Sequence, residues 1–432
     1  MKKYCVSLSE NASAAENRAV LQSAIDTLAA SGGGCVEVPA GRWPVGGLQL
    51  RSGITLRLSE GAVLLGSDRV EDYDQHFIEH FSTPDGTRFY TALIYAEDCE
   101  NIAIEGPGTL DGQGGAEPWR SYAIPGGDGA WHKPPRPWGI RLWKCRHVRL
   151  EGYHLQSSAE WGHHLCDCEH LTVRGLDIFN HANANNDGLD LDGCREVLIE
   201  DCRIDADDDA FCVKSTGFRV NRNIHMRRCT LASRCRVIHI GSESSGLCEN
   251  ILIEHCAIVP SRARHKIDPD RDDHAASAIA IESEEGSVMR NFTFRDLTLQ
   301  GCQTPFFTYL GLISPHRPKY AGHELKIGSI SGLCYERIQA TVSTPTAGSF
   351  STAAGAPPLE DLTFRDITLS VPGSPGTYSS EVPELNVAWH ARAFGQDLPA
   401  RGLYFRNARR VNLQNVSVTA RSEDTRSDAV WE

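Results

Sequence analysis

The chain reads as an all-β solenoid of stacked parallel coils with a short N-terminal capping helix. Three observations lead there: a motif that returns at a nearly fixed interval, two-residue hydrophobic alternation after each return, and helical spacing confined to the start. The motif opens five segments: Cys99-Glu-Asn-Ile, Cys145-Arg-His-Val, Cys168-Glu-His-Leu, Cys194-Arg-Glu-Val and Cys248-Glu-Asn-Ile. A sixth, Asn221-Arg-Asn-Ile, lacks only the cysteine. From Cys145 the starts lie 23, 26, 27 and 27 residues apart. A repeat in the twenties is the signature of a stacked coil, whose inner face is buried only by its neighbours.

After each start, apolar and polar residues alternate, as in Val197-Leu-Ile-Glu-Asp-Cys202 and Ile251-Leu-Ile-Glu-His-Cys256. That is strand periodicity. The pattern persists more weakly at Asn291-Phe-Thr-Phe-Arg-Asp, Leu362-Thr-Phe-Arg-Asp-Ile and Leu403-Tyr-Phe-Arg-Asn. Stacking puts Cys145, Cys168 and Cys194 in one ladder, and Cys202, Cys229 and Cys256 in another. A leucine-rich repeat is the rival, but its leucine and asparagine framework is missing. The expected organisation is a single domain over residues 1–432.

The start differs. Glu16–Ala30 carries apolar residues at helical spacing and stops at Ser31-Gly-Gly-Gly, which predicts a helix over about residues 13–31. Such a helix covers the open end of a solenoid, where a bare strand edge invites aggregation. Non-repeating insertions fall at about residues 112–136, 260–277 and 316–329. Long loops on a rigid scaffold commonly build its binding face.

Composition bounds the partners. The 432 residues carry a net charge of −13, which argues against nucleic acid or an anionic membrane. Residues 1–7 and 11–30 lack the apolar core of a secretion signal, and no run approaches a membrane span, so the sequence reads as cytoplasmic. The fifteen cysteines, an odd number with no C-x-x-C pair, read as reduced thiols filling small core positions. Cys166 and Cys168, one residue apart, are badly spaced for zinc. No metal or cofactor is expected, and nothing in the sequence specifies an oligomeric state.

Two consecutive coils carry clustered carboxylates, Asn185-Asn-Asp-Gly-Leu-Asp-Leu-Asp-Gly193 and Asp205-Ala-Asp-Asp-Asp-Ala-Phe-Cys-Val-Lys-Ser215. Crowded like charges are costly, and a solenoid corner does not require them. Glycoside hydrolysis does: one protonated carboxyl serves the leaving oxygen and an ionised one activates water. Calcium binding and a solvated acidic turn remain open on composition alone.

These residues resemble glycoside hydrolase family 28, the polygalacturonases. Asn185-Asn-Asp187-Gly, then Asp208-Asp209-x-x-x-Val-Lys214-Ser, is similar to the family's Asn-Thr-Asp, Gly-Asp-Asp and Lys-Ser motifs. Gly106-x-Gly-Thr-Leu-Asp-Gly-Gln-Gly114 and Ile240-Gly-Ser242 resemble further family segments. The resemblance runs from about residue 15 to 310 and more loosely to 420. It implies a right-handed parallel β-helix and an inverting hydrolase. It implies Asp208 as general acid, with Asp187 and Asp209 positioning and activating water, while Asp207 stands where the family has glycine.

The departures bear on substrate. Arg236 stands where the family has its site histidine, and Ala280 and Glu282 stand where it has Arg and Lys. Losing those cations removes the partners of a uronate carboxylate. Two readings follow. The sugar at the cleavage point is neutral or differently linked, or Arg236, Lys214 or the loop Arg262-Ala-Arg264-His-Lys266 holds a carboxylate from another side. Asn185, His163, His164, His181 and Tyr309 are further candidate substrate contacts, with Trp119, Trp131 and Trp138 as sugar-stacking candidates. The expected activity is hydrolysis of a pectin-derived or related oligosaccharide, at a chain end. A β-helix polysaccharide lyase with calcium and Arg236 as base is the first alternative, and a non-catalytic sugar-binding solenoid the second.

Overall fold

The computed structural model describes residues 2–79, 87–119, 136–263, 274–312, 324–374, 378, 381–385 and 398–432. Much of the three expected insertions, with Trp131, Arg264 and Lys266, lies outside the described residues. These residues divide into two compact units, one ending at Asp208 and the other beginning at Asp209.

In the first unit the repeat becomes coils. Arg146–Glu151, Glu169–Arg174 and Arg195–Glu200 pair in parallel, with Arg146 opposite Glu169 and Glu169 opposite Arg195. The steps of 23 and 26 residues in the motif are therefore the lengths of the coils. Two further parallel rows complete each turn: Trp138–Trp143, His163–Cys166 and Leu189–Asp192 in one, His154–Gln156, Asp177–Asn180 and Arg203–Ala206 in the other. Alternation sends Val148, Leu150, Leu171, Val173, Val197 and Ile199 inward, where each is at most 3% exposed. Cys145, Cys168 and Cys194 are fully buried in the expected ladder, and the Cys145 amide donates to Cys168 Sγ at 3.4 Å. All fifteen cysteines are free thiols.

Each coil turns a corner two residues past its start. There Asn101, His147, His170 and Glu196 take φ of 54–56°, the left-handed region that asparagine tolerates best. The helix spans Ala14–Ala30. Ser13 and Glu16 form its capping box, and Leu21, Ala24, Ile25 and Leu28 face the strands beneath. A strand that the sequence pattern does not announce, Lys3–Cys5, precedes it and pairs with Gly34–Val38.

In the second unit Val220–Arg227 pairs with Leu247–Glu254, placing Asn221 opposite Cys248. Asn221 thus holds the ladder position of the missing cysteine, its amide donating to the Lys214 carbonyl at 2.5 Å and to Cys248 Sγ at 3.5 Å. In later coils rings replace thiols as filler: Phe294, Phe306, Tyr335, Phe350, Phe364 and Phe405 pack with centroids about 5–6 Å apart. A second apolar cluster lies outside this stack, where Phe307 and Tyr309 meet Val382, Leu385, Leu398 and Tyr404. Among the described residues no helix is long and apolar enough to cross a membrane.

Candidate active site

The clustered carboxylates divide between the units. In the first, Asp187 and Asp208 lie where coil corners meet strand ends. Asn185 takes the left-handed conformation (φ 55°), and Asn186 is pinned by bonds to the Ser158 and Glu160 carbonyls at 2.9 and 2.7 Å. Asn180 reaches the Asp187 carbonyl at 2.9 Å, and Asp187 is 3% exposed. Asn185 Nδ2 donates to Asp208 Oδ2 at 3.3 Å. Arg136 sets the direction of that amide: its Nη2 donates to Asn185 Oδ1 at 3.0 Å, while its Nη1 holds the Ala159 and Ala184 carbonyls. Asp208 is half-buried.

The neighbouring aspartates have another task. His181 lies 2.9 Å from Asp205 and 3.5 Å from Asp207. Burial lowers its proton affinity, but the two carboxylates overcome that and raise it above the ordinary value.

In the second unit Asp209 is 1% exposed and bound by the Arg236 guanidinium and by His239, which burial pushes down to about 4. Its Oδ1 accepts from Arg236 Nε at 3.0 Å and from the Arg236 amide at 3.3 Å; its Oδ2 lies 2.5 Å from His239 Nδ1. Burial opposes ionisation there, but Arg236, His239 and Lys214 outweigh it and hold the carboxyl well below the usual range. Arg236 Nη1 also reaches Glu282 Oε1 at 3.4 Å, and Lys214 pairs with Glu243 at 3.2 Å. His239 escapes the motif comparison, yet its place between the inward-facing Ile238 and Ile240 marks it as a polar residue on the outer face. Glu284, another residue the sequence reading passes over, is fully buried beyond Glu282.

The remaining candidates fall into place differently. Both ring nitrogens of His163 are engaged, by the Tyr153 hydroxyl at 2.8 Å and the Gly188 carbonyl at 3.0 Å, and burial pushes it down to about 4. His163 is an interior strut, which corrects the expectation of a substrate contact. His164 is also fully buried, with Arg141 at 2.6 Å, Asp192 at 3.4 Å, and the edges of Trp138 and Trp161 against it. Tyr309 is 1% exposed within the outer apolar cluster. Trp119 is buried against Tyr73, so it packs the fold.

Within the units, His164–Cys166–Asp192 in the first and Asp209–Cys212–His239 in the second cluster as a metal site would. In each an arginine already supplies the positive charge: Arg141 stands at His164 Nδ1 and Arg236 at Asp209. A groove of about 550 Å³ on the first unit, lined by Thr55, Arg149, His170 and Leu198, holds none of the clustered carboxylates.

The family model for Glycosyl hydrolases family 28 matches residues 36–388. A "Probable polygalacturonase" of Vitis vinifera is 28% identical over 267 residues, 58% of this chain and 53% of its own length. An "Exo-poly-alpha-D-galacturonosidase" of Dickeya chrysanthemi is 36% identical over 115 residues, 23% of this chain and 17% of its own. The chain thus spans about half the length, or less, of these relatives. Among solved structures, the exopolygalacturonase of Thermotoga maritima superposes with a TM-score of 0.70 at 21% identity, covering 86% of this chain and 87% of its own. The family 28 exopolygalacturonase of Yersinia enterocolitica gives 0.68 at 16% identity, covering 100% and 78%. At such identities the likeness is one of fold, the right-handed parallel β-helix.

Proposed function

The chain belongs to glycosyl hydrolases family 28, and on that footing we propose that it is an inverting glycosidase acting at the ends of pectin-derived oligosaccharides. Asp208 is the general acid; Asp187 and Asp209 position and activate water. The observation that carries this reading is the contrast between two consecutive residues. Asp208 is half-buried and accepts a hydrogen bond from the Asn185 amide. Asp209 is buried against a guanidinium and an imidazole, a setting that keeps it ionised. An acid and a base made from the same side chain require that kind of split.

End-wise action draws support from the outer apolar cluster. Val382, Leu385 and Leu398 pack on Ala280, Phe307 and Tyr309, directly beside the strand that carries Glu282, and so wall off the outer face there. A neutral sugar at the cleavage point draws support from the cations. Arg236 is shared between Asp209 and Glu282, and Lys214 is paired with Glu243, so each is already matched to a carboxylate of the protein. The same pairing disfavours Arg236 as a lyase base, because two carboxylates hold its proton more tightly.

A panel of charged and neutral oligosaccharides, followed by NMR of the first-formed anomer, tests all parts together. The expected result is single-sugar release from short oligomers, an inverted product anomer and faster turnover where the terminal residue is uncharged. Internal cleavage of long polymer with no action on oligomers, or a retained anomer, overturns the reading.

A further inference from the structure

Four side chains of the second unit close a ring. Asp209 Oδ1 accepts from Arg236 Nε at 3.0 Å, and Arg236 Nη1 reaches Glu282 Oε1 at 3.4 Å. The same Glu282 oxygen lies 3.7 Å from His239 Nε2, and His239 Nδ1 lies 2.5 Å from Asp209 Oδ2. Asp209, His239 and Glu282 are each at most 1% exposed, and Arg236 is mostly covered. Arg236 and His239 come from one strand, Arg236–Ser244, and Glu282 from the strand paired with it, Ala275–Ser283.

From this ring we infer that Glu282 is a positioning residue for the hydrolytic reaction, acting on Asp209 through Arg236 by drawing part of its charge away from it. The inference rests on Asp209 being a water-activating group. One cation between two carboxylates is divided between them. With Glu282 ionised, Asp209 stays charged but keeps enough basicity to accept a proton from water. With Glu282 neutral, Arg236 acts on Asp209 alone and makes it a weaker base, and base efficiency follows basicity. In the step itself the attacking water gives its proton to Asp209 and its oxygen to the sugar carbon, while the departing oxygen takes the proton of Asp208.

All the groups around the ring enter this balance. Asp209 faces Arg236, His239, Lys214 and the thiols of Cys212 and Cys235. Glu282 faces Arg236, His239, Asp209 and Glu284, and Glu284 in turn faces Glu285. Both carboxyl oxygens of Glu284 are buried with no hydrogen-bond partner in the ionised form, which suits a protonated acid beside Glu282. Burial pushes Glu282 up to about 7 and Glu284 up to about 9. Glu282 therefore gains its charge as pH rises through neutrality, while Glu284 remains protonated. The kcat profile should carry an ascending limb near pH 7 that belongs to Glu282.

The test is the pH dependence of kcat and KM in Glu282→Gln and Glu282→Asp, beside Asp209→Asn. Glu282→Gln should fix the enzyme in its low-pH behaviour: the limb disappears, kcat at pH 8 falls at least tenfold, and KM is unchanged. Glu282→Asp should restore the limb. A purely structural role would lower kcat evenly and leave the limb in place, and that result overturns the inference. If Glu282→Gln does not fold, Arg236→Lys serves instead, because a point charge cannot span both carboxylates, and it too should erase the limb. Full activity in Asp209→Asn would remove the underlying reading. Loss of activity in Asp209→Asn with an unaltered limb in Glu282→Gln would remove the ring alone.

Discussion

In the first unit the Asp208 carboxylate meets the Asn185 amide, whereas in the second the Asp209 carboxylate meets the Arg236 guanidinium. Around Asp208 one partner is Asn185, itself steered by Arg136, which touches that amide, backbone carbonyls and the Glu160 carboxylate. Around Asp209 the holding groups are Arg236 and His239, with Glu282 behind them. Under the proposed function, that difference lets two neighbouring copies of one residue do opposite work. A neutral dipole fixes geometry without deciding charge, whereas a buried cation decides charge first. Since one pKa unit is about 1.4 kcal/mol, a modest difference in surroundings separates an acid from a base.

The sharpest way to break this comparison is to remove the charges one at a time. Asp208→Asn and Asp209→Asn should each lower kcat by about 10²–10⁴, the usual contribution of a positioned acid or base, with Asp187→Asn in the same range. Circular dichroism should report folded protein throughout. The two losses should differ in kind. An activated leaving group, which needs little protonation, should rescue Asp208→Asn and leave Asp209→Asn dead. Equal rescue of both would erase the distinction between the units.

Much of this was legible in the chain, because a solenoid writes its geometry along the sequence. The interval between Cys145, Cys168 and Cys194 is the coil length, and the alternation in Val197–Cys202 is the inward–outward order of side chains. Even the substitution at Asn221 kept its register. The site was legible only where a motif carried it. The run Asp205–Asp209 named the carboxylates but not their partners, since those come from neighbouring coils: Asp207 belongs to His181, and Asp209 to His239. His239 lay hidden in an apolar strand. Glu284 lay hidden because a glutamate near a turn ordinarily faces solvent, and nothing local announces its burial. The cap strand Lys3–Cys5 pairs with Gly34–Val38 across the whole helix, a contact that no local pattern encodes.

A smaller effect, on stability, tests the ionic side. Glu284 has a folded-state value of about 9, against an ordinary 4.5. The folded protein therefore holds a proton that the unfolded chain releases, and stability falls as pH rises from about 4.5 to 9. Glu284→Gln removes that dependence. Denaturant titrations should show the variant equal to the parent at pH 4.5 and more stable by about 2–4 kcal/mol at pH 9. Equal stability at both pH values would mean that Glu284 is not a buried acid.

The smallest effect tests the amide side. Arg136 does not touch Asp208; it points the Asn185 amide that does. Arg136→Met keeps much of the buried stem but frees Asn185 to rotate, and leaves Glu160 and the carbonyls of Ala159 and Ala184 without the guanidinium. Loss of such aim should lower kcat about tenfold, which is about 1.4 kcal/mol of transition-state stabilisation. The pH profile should stay where it was, because no charge has been taken from Asp209. A shifted profile in Arg136→Met would show that the first unit, too, governs its carboxylate through charge, and the contrast between the two units would then be one of degree.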